Sequence, residues 1–159
     1  MPQSSTTTNV VIAGLGGQGV LKASDIFAGA VFRAGFDVKK SEIHGMSQRG
    51  GSVSSDVRFG SKVYSPMVPP GQADYLVVLA ESQVEIARPM LKTGGVLVEP
   101  GMVDESKLSN KKSLNVALLG ALARHLDLAD TLWRAAIEAA LPEKLHAANL
   151  QAFAIGKAS

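Results

Sequence analysis

Short β-branched runs alternate with stretches of helical spacing through the first two thirds of the chain, and alanine- and leucine-rich stretches fill the remainder. Residues 9–14, NVVIAG, form a short β-branched run entering glycine, which predicts a central strand buried on both faces. From Gly19 the apolar positions Val20, Leu21, Ile26, Phe27, Ala30, Val31 and Ala34 recur at helical spacing, and Gly35 stands where a left-handed terminator belongs. Strand, glycine turn and helix therefore follow in that order.

Residues 36–43 read as a second strand and residues 44–51 as a polar loop. In residues 52–60, Val53, Val57 and Phe59 share one face while Ser54, Asp56 and Arg58 share the other, which suits an antiparallel or half-exposed strand. Pro66, Pro69 and Pro70 make the next segment an extended connector. Residues 75–80, YLVVLA, predict a buried strand, residues 81–91 a helix stopped by Thr93-Gly94-Gly95, and residues 96–99 the last central strand. After a weakly patterned linker at 103–112, helical segments are expected at 114–126, 129–141 and 143–153, with Pro142 separating the last two. The order predicts a three-layer, Rossmann-like α/β domain: a mostly parallel sheet, one or more antiparallel strands and a helical C-terminal region. Residues 9–159 are expected to form one domain behind a frayed, disordered tail at 1–8.

Composition narrows the function. The apolar share of 46% and charged share of 19% belong to an ordinary globular chain of 159 residues. The net charge is +2, and the lysine pairs Lys39-Lys40 and Lys111-Lys112 are too short for a basic stripe, so no nucleic-acid partner is expected. Cysteine is absent, which removes thiolate nucleophiles, cysteine-ligated zinc and iron–sulfur ligation from this chain. The start lacks the basic and apolar regions of a signal peptide, and no apolar run approaches the ~18 residues that cross a bilayer, so a cytoplasmic location without membrane contact is expected.

Two loops could carry chemistry. Gly14, Gly16 and Gly19 satisfy the G-x-G-x-x-G pattern between a strand and a helix, with Gly17 and Gln18 inside it. Missing Cβ atoms there let the backbone turn tightly, and the helix start offers N–H groups to a phosphate or to another chain's polar loop. A dinucleotide reader would also place a carboxylate at the end of the second strand, whereas Asp37 begins that strand and Glu42 falls late. The turn could equally close a βα unit without a ligand. The second loop gathers His44, Gln48 and Arg49 with Gly45, Gly50 and Gly51; Arg49 could pair with a phosphate or carboxylate, and His44 is either a proton donor or a satisfied surface histidine. His125 and His146 lack a second ligand at metal spacing and read as surface residues, and Trp133 reads as core or subunit contact.

The segments VVIAGLGGQGVLKAS, SEIHGMSQRGGSVSSDVRFG, SPMVPPGQADYLVVL and LNVALLGALA together resemble the gamma subunits of 2-oxoacid:acceptor (ferredoxin) oxidoreductases, with the small subunits of the indolepyruvate branch nearest in pattern. The resemblance runs over residues 9–153, and the paired GGQG and HGMSQRGG loops are more specific than either alone. It implies a non-cluster subunit, inactive alone, that packs on a larger thiamine-diphosphate and iron–sulfur subunit. That enzyme would decarboxylate a 2-oxoacid oxidatively to an acyl-CoA, with coenzyme A as co-substrate and ferredoxin reached indirectly. Thiamine diphosphate, magnesium and [4Fe-4S] clusters would reside on the partner, and this chain would hold no cofactor or metal alone and contribute no catalytic residue. The cofactor-facing residues implied are Gly14, Gly16, Gly17, Gln18, Gly19, His44, Gln48, Arg49, Gly50 and Gly51, with Gln48 and Arg49 making the polar contacts. The alternative is a free-standing dinucleotide- or phosphate-binding module of Rossmann type.

Overall fold

The computed structural model describes residues 6–44 and 51–159; residues 45–50, including Gln48, Arg49 and Gly50 of the expected site, lie outside them. Strand β1 (Thr8–Leu15) occupies the middle of a five-stranded sheet ordered β2-β3-β1-β4-β5. The other strands are β2 (Asp37–His44), β3 (Ser52–Gly60), β4 (Ala73–Val78) and β5 (Leu91–Val98). β1 pairs in parallel with β4, and β4 with β5, while β3 runs antiparallel to both β1 and β2. Four of the five strands thus point one way, and the antiparallel member is the segment whose alternation suggested it.

Helix α1 (Val20–Arg33) follows β1 and ends as its glycine foretells. Gly35 has φ +99°, its N–H donates to the Phe32 carbonyl, and the Phe36 N–H reaches back to Val31, completing a Schellman turn. One sheet face, carrying Val10, Ile12, Val57, Phe59 and Val77, packs against α1, α3 (Leu114–Ala123), α4 (Asp130–Ala140) and α5 (His146–Ala158). Trp133 is fully buried there, with its ring centroid 5.8 Å from Phe27 and 5.2 Å from Phe153. From Asn115 to Ala123 every residue of α3 is buried, as an all-round apolar helix requires. The opposite face is thinly covered: Val11, Leu76 and Val78 meet Val68 of the proline-rich connector and Val84 of a short helical segment.

Three expectations change. Only Val84–Ala87 of the expected 81–91 helix is α-helical (α2), flanked by 3-10 turns at Glu81–Gln83 and Arg88–Met90. Pro89 has no N–H to continue the ladder, so the segment cannot lengthen. Leu91 instead opens β5, and Thr93-Gly94-Gly95 lies inside that strand, where Gly94 adopts φ +82° and the pairing with β4 slips between Ala73 and Tyr75. β5 is therefore an edge strand of eight residues, longer than the central strand expected at 96–99. His125 is exposed, but His146 is half-buried: its Nε2–H donates to the Leu141 carbonyl at 2.8 Å and closes the end of α4.

Candidate functional site

The parallel strands β1 and β4 end side by side, and the chain leaves β1 toward one side of the sheet and β4 toward the other. Such a switch point, at the carboxyl ends of the strands, is where open α/β sheets receive ligands. Here it holds the turn of residues 14–19 and the start of α1.

Each glycine of the turn has a separate reason. Gly14 is not left-handed; a Cβ there would stand 2.9 Å from the Gln18 Oε1 and 3.1 Å from the Leu79 Cβ. The Gly16 N–H donates to the Gly51 carbonyl at 2.9 Å, and Leu15 lies opposite Ser52 in the ladder, so the end of the second loop adjoins the glycine turn. Gly17 has φ +89° with open space around its Cβ position. Gly19 has φ +80°, and a Cβ there would meet the Asn115 Nδ2 at 2.5 Å. An L-residue in either left-handed position costs about 1–2 kcal/mol.

Gln18 turns its amide onto the protein itself. Its Oε1 accepts the Leu15 N–H at 2.7 Å, and its Nε2 donates to the Leu79 carbonyl beyond β4 at 3.3 Å. Gly19 supplies no side chain to cap α1, and no acid stands in the first turn, leaving the helix's positive end uncompensated from within.

A groove of about 360 Å³ opens at this turn, bounded by Gly17, Gln18 and Gly19 on one side and by Lys111, Lys112 and Asn115 on the other. The lysines come from a 3-10 turn, Lys111–Ser113, which Asn110 starts by accepting the Lys112 N–H at 2.9 Å. Asn115, buried at the beginning of α3, donates from Nδ2 to the Gly19 carbonyl at 3.1 Å. A helix start with no side-chain cap and two lysines bordering one groove favour an anion such as a diphosphate.

The expected residues separate as follows. Gly14, Gly16, Gly17, Gln18, Gly19 and Gly51 meet at the switch point. His44 ends β2 with its backbone paired to Val53. Lys111, Lys112 and Asn115 were not anticipated, because a lysine pair weighed only against a nucleic-acid stripe carries no sign of facing a loop far back in the chain. The carboxylates of a dinucleotide reader are engaged elsewhere: Asp37 accepts the Val63 N–H at 2.8 Å, and Glu42 pairs with Lys40 at 3.1 Å. Among the described residues no group of three or more His, Asp or Glu side chains converges on a metal position, and no helix is long and apolar enough to cross a membrane.

Comparison with known proteins places this architecture. The chain is 34% identical to the indolepyruvate oxidoreductase subunit IorB of Thermococcus kodakarensis over 190 aligned positions, covering 93% of both chains. It is 50% identical over 91 residues to the IorB subunit of Pyrococcus horikoshii, covering 56% of this chain and 44% of that one. Two solved structures share its fold. The gamma subunit of a keto/oxoacid ferredoxin oxidoreductase from Geobacter sulfurreducens matches with a TM-score of 0.80 at 22% identity, over 96% of this chain and 95% of the other. The 2-oxoglutarate:ferredoxin oxidoreductase of Magnetococcus marinus, solved with 2-oxoglutarate, coenzyme A and succinyl-CoA bound, matches with a TM-score of 0.83 at 21% identity, over 98% of this chain but only 31% of the longer one. The family model described as pyruvate ferredoxin/flavodoxin oxidoreductase matches residues 9–105, from β1 through the turn beyond β5, and the chain belongs to that family.

Proposed function

We propose that this chain is the small, non-cluster subunit of an indolepyruvate-like 2-oxoacid:ferredoxin oxidoreductase, packed in the cytoplasm on a larger subunit that holds thiamine diphosphate, magnesium and [4Fe-4S] clusters. Its own part is to receive the diphosphate of coenzyme A in the groove beside the glycine turn. The observation that carries this reading is the meeting of an uncapped helix start, the left-handed Gly17 and Gly19, and Lys111 and Lys112 around one opening. The Magnetococcus marinus enzyme, which contains a domain of this fold and was solved with coenzyme A, supports the choice of ligand.

The residues fit an anion and do not fit the other cofactors. The chain has no cysteine for a cluster, and no carboxylate lines the groove to hold magnesium. Thiamine diphosphate, held by the partner, supplies stabilisation of the carbanion left by decarboxylation. This chain's residues bind and orient: Lys111 and Lys112 neutralise phosphate charge, the first turn of α1 supplies N–H donors, and the Gly51 carbonyl holds the Gly16 N–H so that the turn keeps its place at the strand end. Nothing here is asked to be a catalytic acid or base.

Reconstitution tests the reading. The larger subunit with this chain should reduce a viologen dye in a manner dependent on both 2-oxoacid and coenzyme A, and without it that activity should collapse. Undiminished activity in its absence, or a native complex devoid of a thiamine-diphosphate subunit, would overturn the proposal.

A further inference from the structure

We infer that Gln18 is a positioning residue: its side-chain amide holds the turn of residues 17–19 in the shape that receives an anion, without touching the anion itself. The inference rests on the reading of the groove as an anion site and adds how that site keeps its form. Gln18 closes on Leu15 twice, through its backbone N–H to the Leu15 carbonyl at 3.1 Å and through Oε1, which accepts the Leu15 N–H at 2.7 Å. The amide orientation follows from its partners, because Leu15 N–H can only donate and the Leu79 carbonyl can only accept. Leu79 in turn donates its N–H to the Ala13 carbonyl at 2.8 Å, so one side chain ties the turn to the ends of two neighbouring strands.

Gly14 corroborates this. In a dinucleotide fingerprint the glycines admit ligand and tight turns, but here the space vacated at Gly14 is filled by the Gln18 amide, 2.9 Å from where a Cβ would stand. From the other side Asn115 fills the space vacated at Gly19 and binds its carbonyl. Two amides thus grip the turn at both ends, leaving Gly17 with open space around it. No other side chain reproduces the grip. Asparagine is a methylene short, glutamate accepts from Leu15 but cannot donate to Leu79, and methionine fills the volume without either bond.

The test uses the assembled enzyme with Gln18→Ala, Gln18→Met and, separately, the double variant Lys111→Ala/Lys112→Ala. KM for coenzyme A and kcat are measured at saturating 2-oxoacid, and amide exchange at Leu15 is followed without coenzyme A. Both Gln18 variants should raise KM for coenzyme A about tenfold, more than they lower kcat, and should speed Leu15 exchange. If Gln18→Ala does not fold, the volume-preserving Gln18→Met carries the comparison. Unchanged KM in the Gln18 variants, beside a raised KM in the lysine variant, overturns this inference alone; a raised KM with Leu15 exchange unaltered also overturns it, since Gln18 would then touch the ligand directly. A normal KM in the lysine variant beside the expected Gln18 effects would instead sink the phosphate role of the lysines and leave Gln18 as the residue that holds the turn.

Discussion

The Oδ2 of Asp56, on the sheet face away from the main core, accepts the backbone N–H of Val68 at 2.9 Å and so pins the proline-rich connector across β3. Beside it Arg58 donates from Nη1 to the Ser65 carbonyl at 2.9 Å, and at the connector's start Asp37 accepts the Val63 N–H. The two carboxyl groups do the same structural task in surroundings that move their proton affinities in opposite directions.

Asp56 is 1% exposed, and its burial pushes the carboxyl above its ordinary value of 3.8, against the pull of the Val68 N–H and the Arg58 charge. A raised folded-state value favours the protonated form, so its contribution to stability is full below 3.8 and is lost as pH climbs through the folded value. Asp56→Asn keeps an oxygen for Val68 and cannot ionise. Thermal melts across pH should find the two proteins alike near about pH 3.5 and the variant the more stable at about pH 7. A variant less stable than the parent at neutral pH would contradict the assignment.

Asp37 behaves in the reverse sense. The Val63 N–H holds its carboxyl below 3.8, with Lys39 and Lys62 adding to the effect against a smaller opposing cost of desolvation. A depressed value gives stability that is present above 3.8 and fades as pH falls through the folded value. The Val63 amide should be protected from exchange in the parent at neutral pH, lose protection as the solution is acidified, and be unprotected throughout in Asp37→Ala. Equal protection of Val63 in the two proteins would dispose of the contact.

Much of this fold can be read from residue order because its signals are local. β3 begins and ends at the expected Ser52 and Gly60, where period-two alternation is bounded by a glycine-bearing loop and a terminal glycine. The departure from the helix expected at 81–91 is local too: Pro89 lacks the N–H that would carry the helix on, and the α-helical stretch stays at Val84–Ala87. The site divides differently. The glycine turn declares its place by lying between a strand and a helix, but the Leu79 carbonyl that fixes Gln18 is 61 residues away and Asn115 is 96 residues from Gly19. Spacing at that range is silent, and only sheet order brings these groups together.

Gly17 and Gly101 separate backbone strain from crowding. A Cβ at either would meet nothing within 4 Å, but Gly17 alone of the two has a left-handed φ, +89°. Gly17→Ala should cost about 1 kcal/mol of stability and raise KM for coenzyme A, while Gly101→Ala should be close to neutral or slightly stabilising. Chemical denaturation of the two variants decides it, and equal midpoints would mean that the turn at Gly17 carries no strain.

The packing of α5 on α3 leads to the largest expected loss. Gly120 of α3 faces the Phe153 carbonyl, and Gly156 of α5 faces the Ala117 carbonyl, each so closely that a Cβ would overlap the oxygen. In both cases the obstacle is helix backbone, which cannot rotate away as a side chain can. Alanine is ordinarily the better helix former by about 1 kcal/mol, so propensity alone would make either replacement stabilising. Overpacking opposes that gain: separating the helices would open the core around Leu118, Leu122 and Phe153, at a cost of about 1–3 kcal/mol or more. Gly156→Ala should therefore lower the unfolding midpoint by several degrees, and the double variant Gly120→Ala/Gly156→Ala should lose less than the sum of the single losses, because helices already separated by one methyl accommodate the second. A Gly156→Ala protein as stable as its parent would mean that these helices are not in backbone contact.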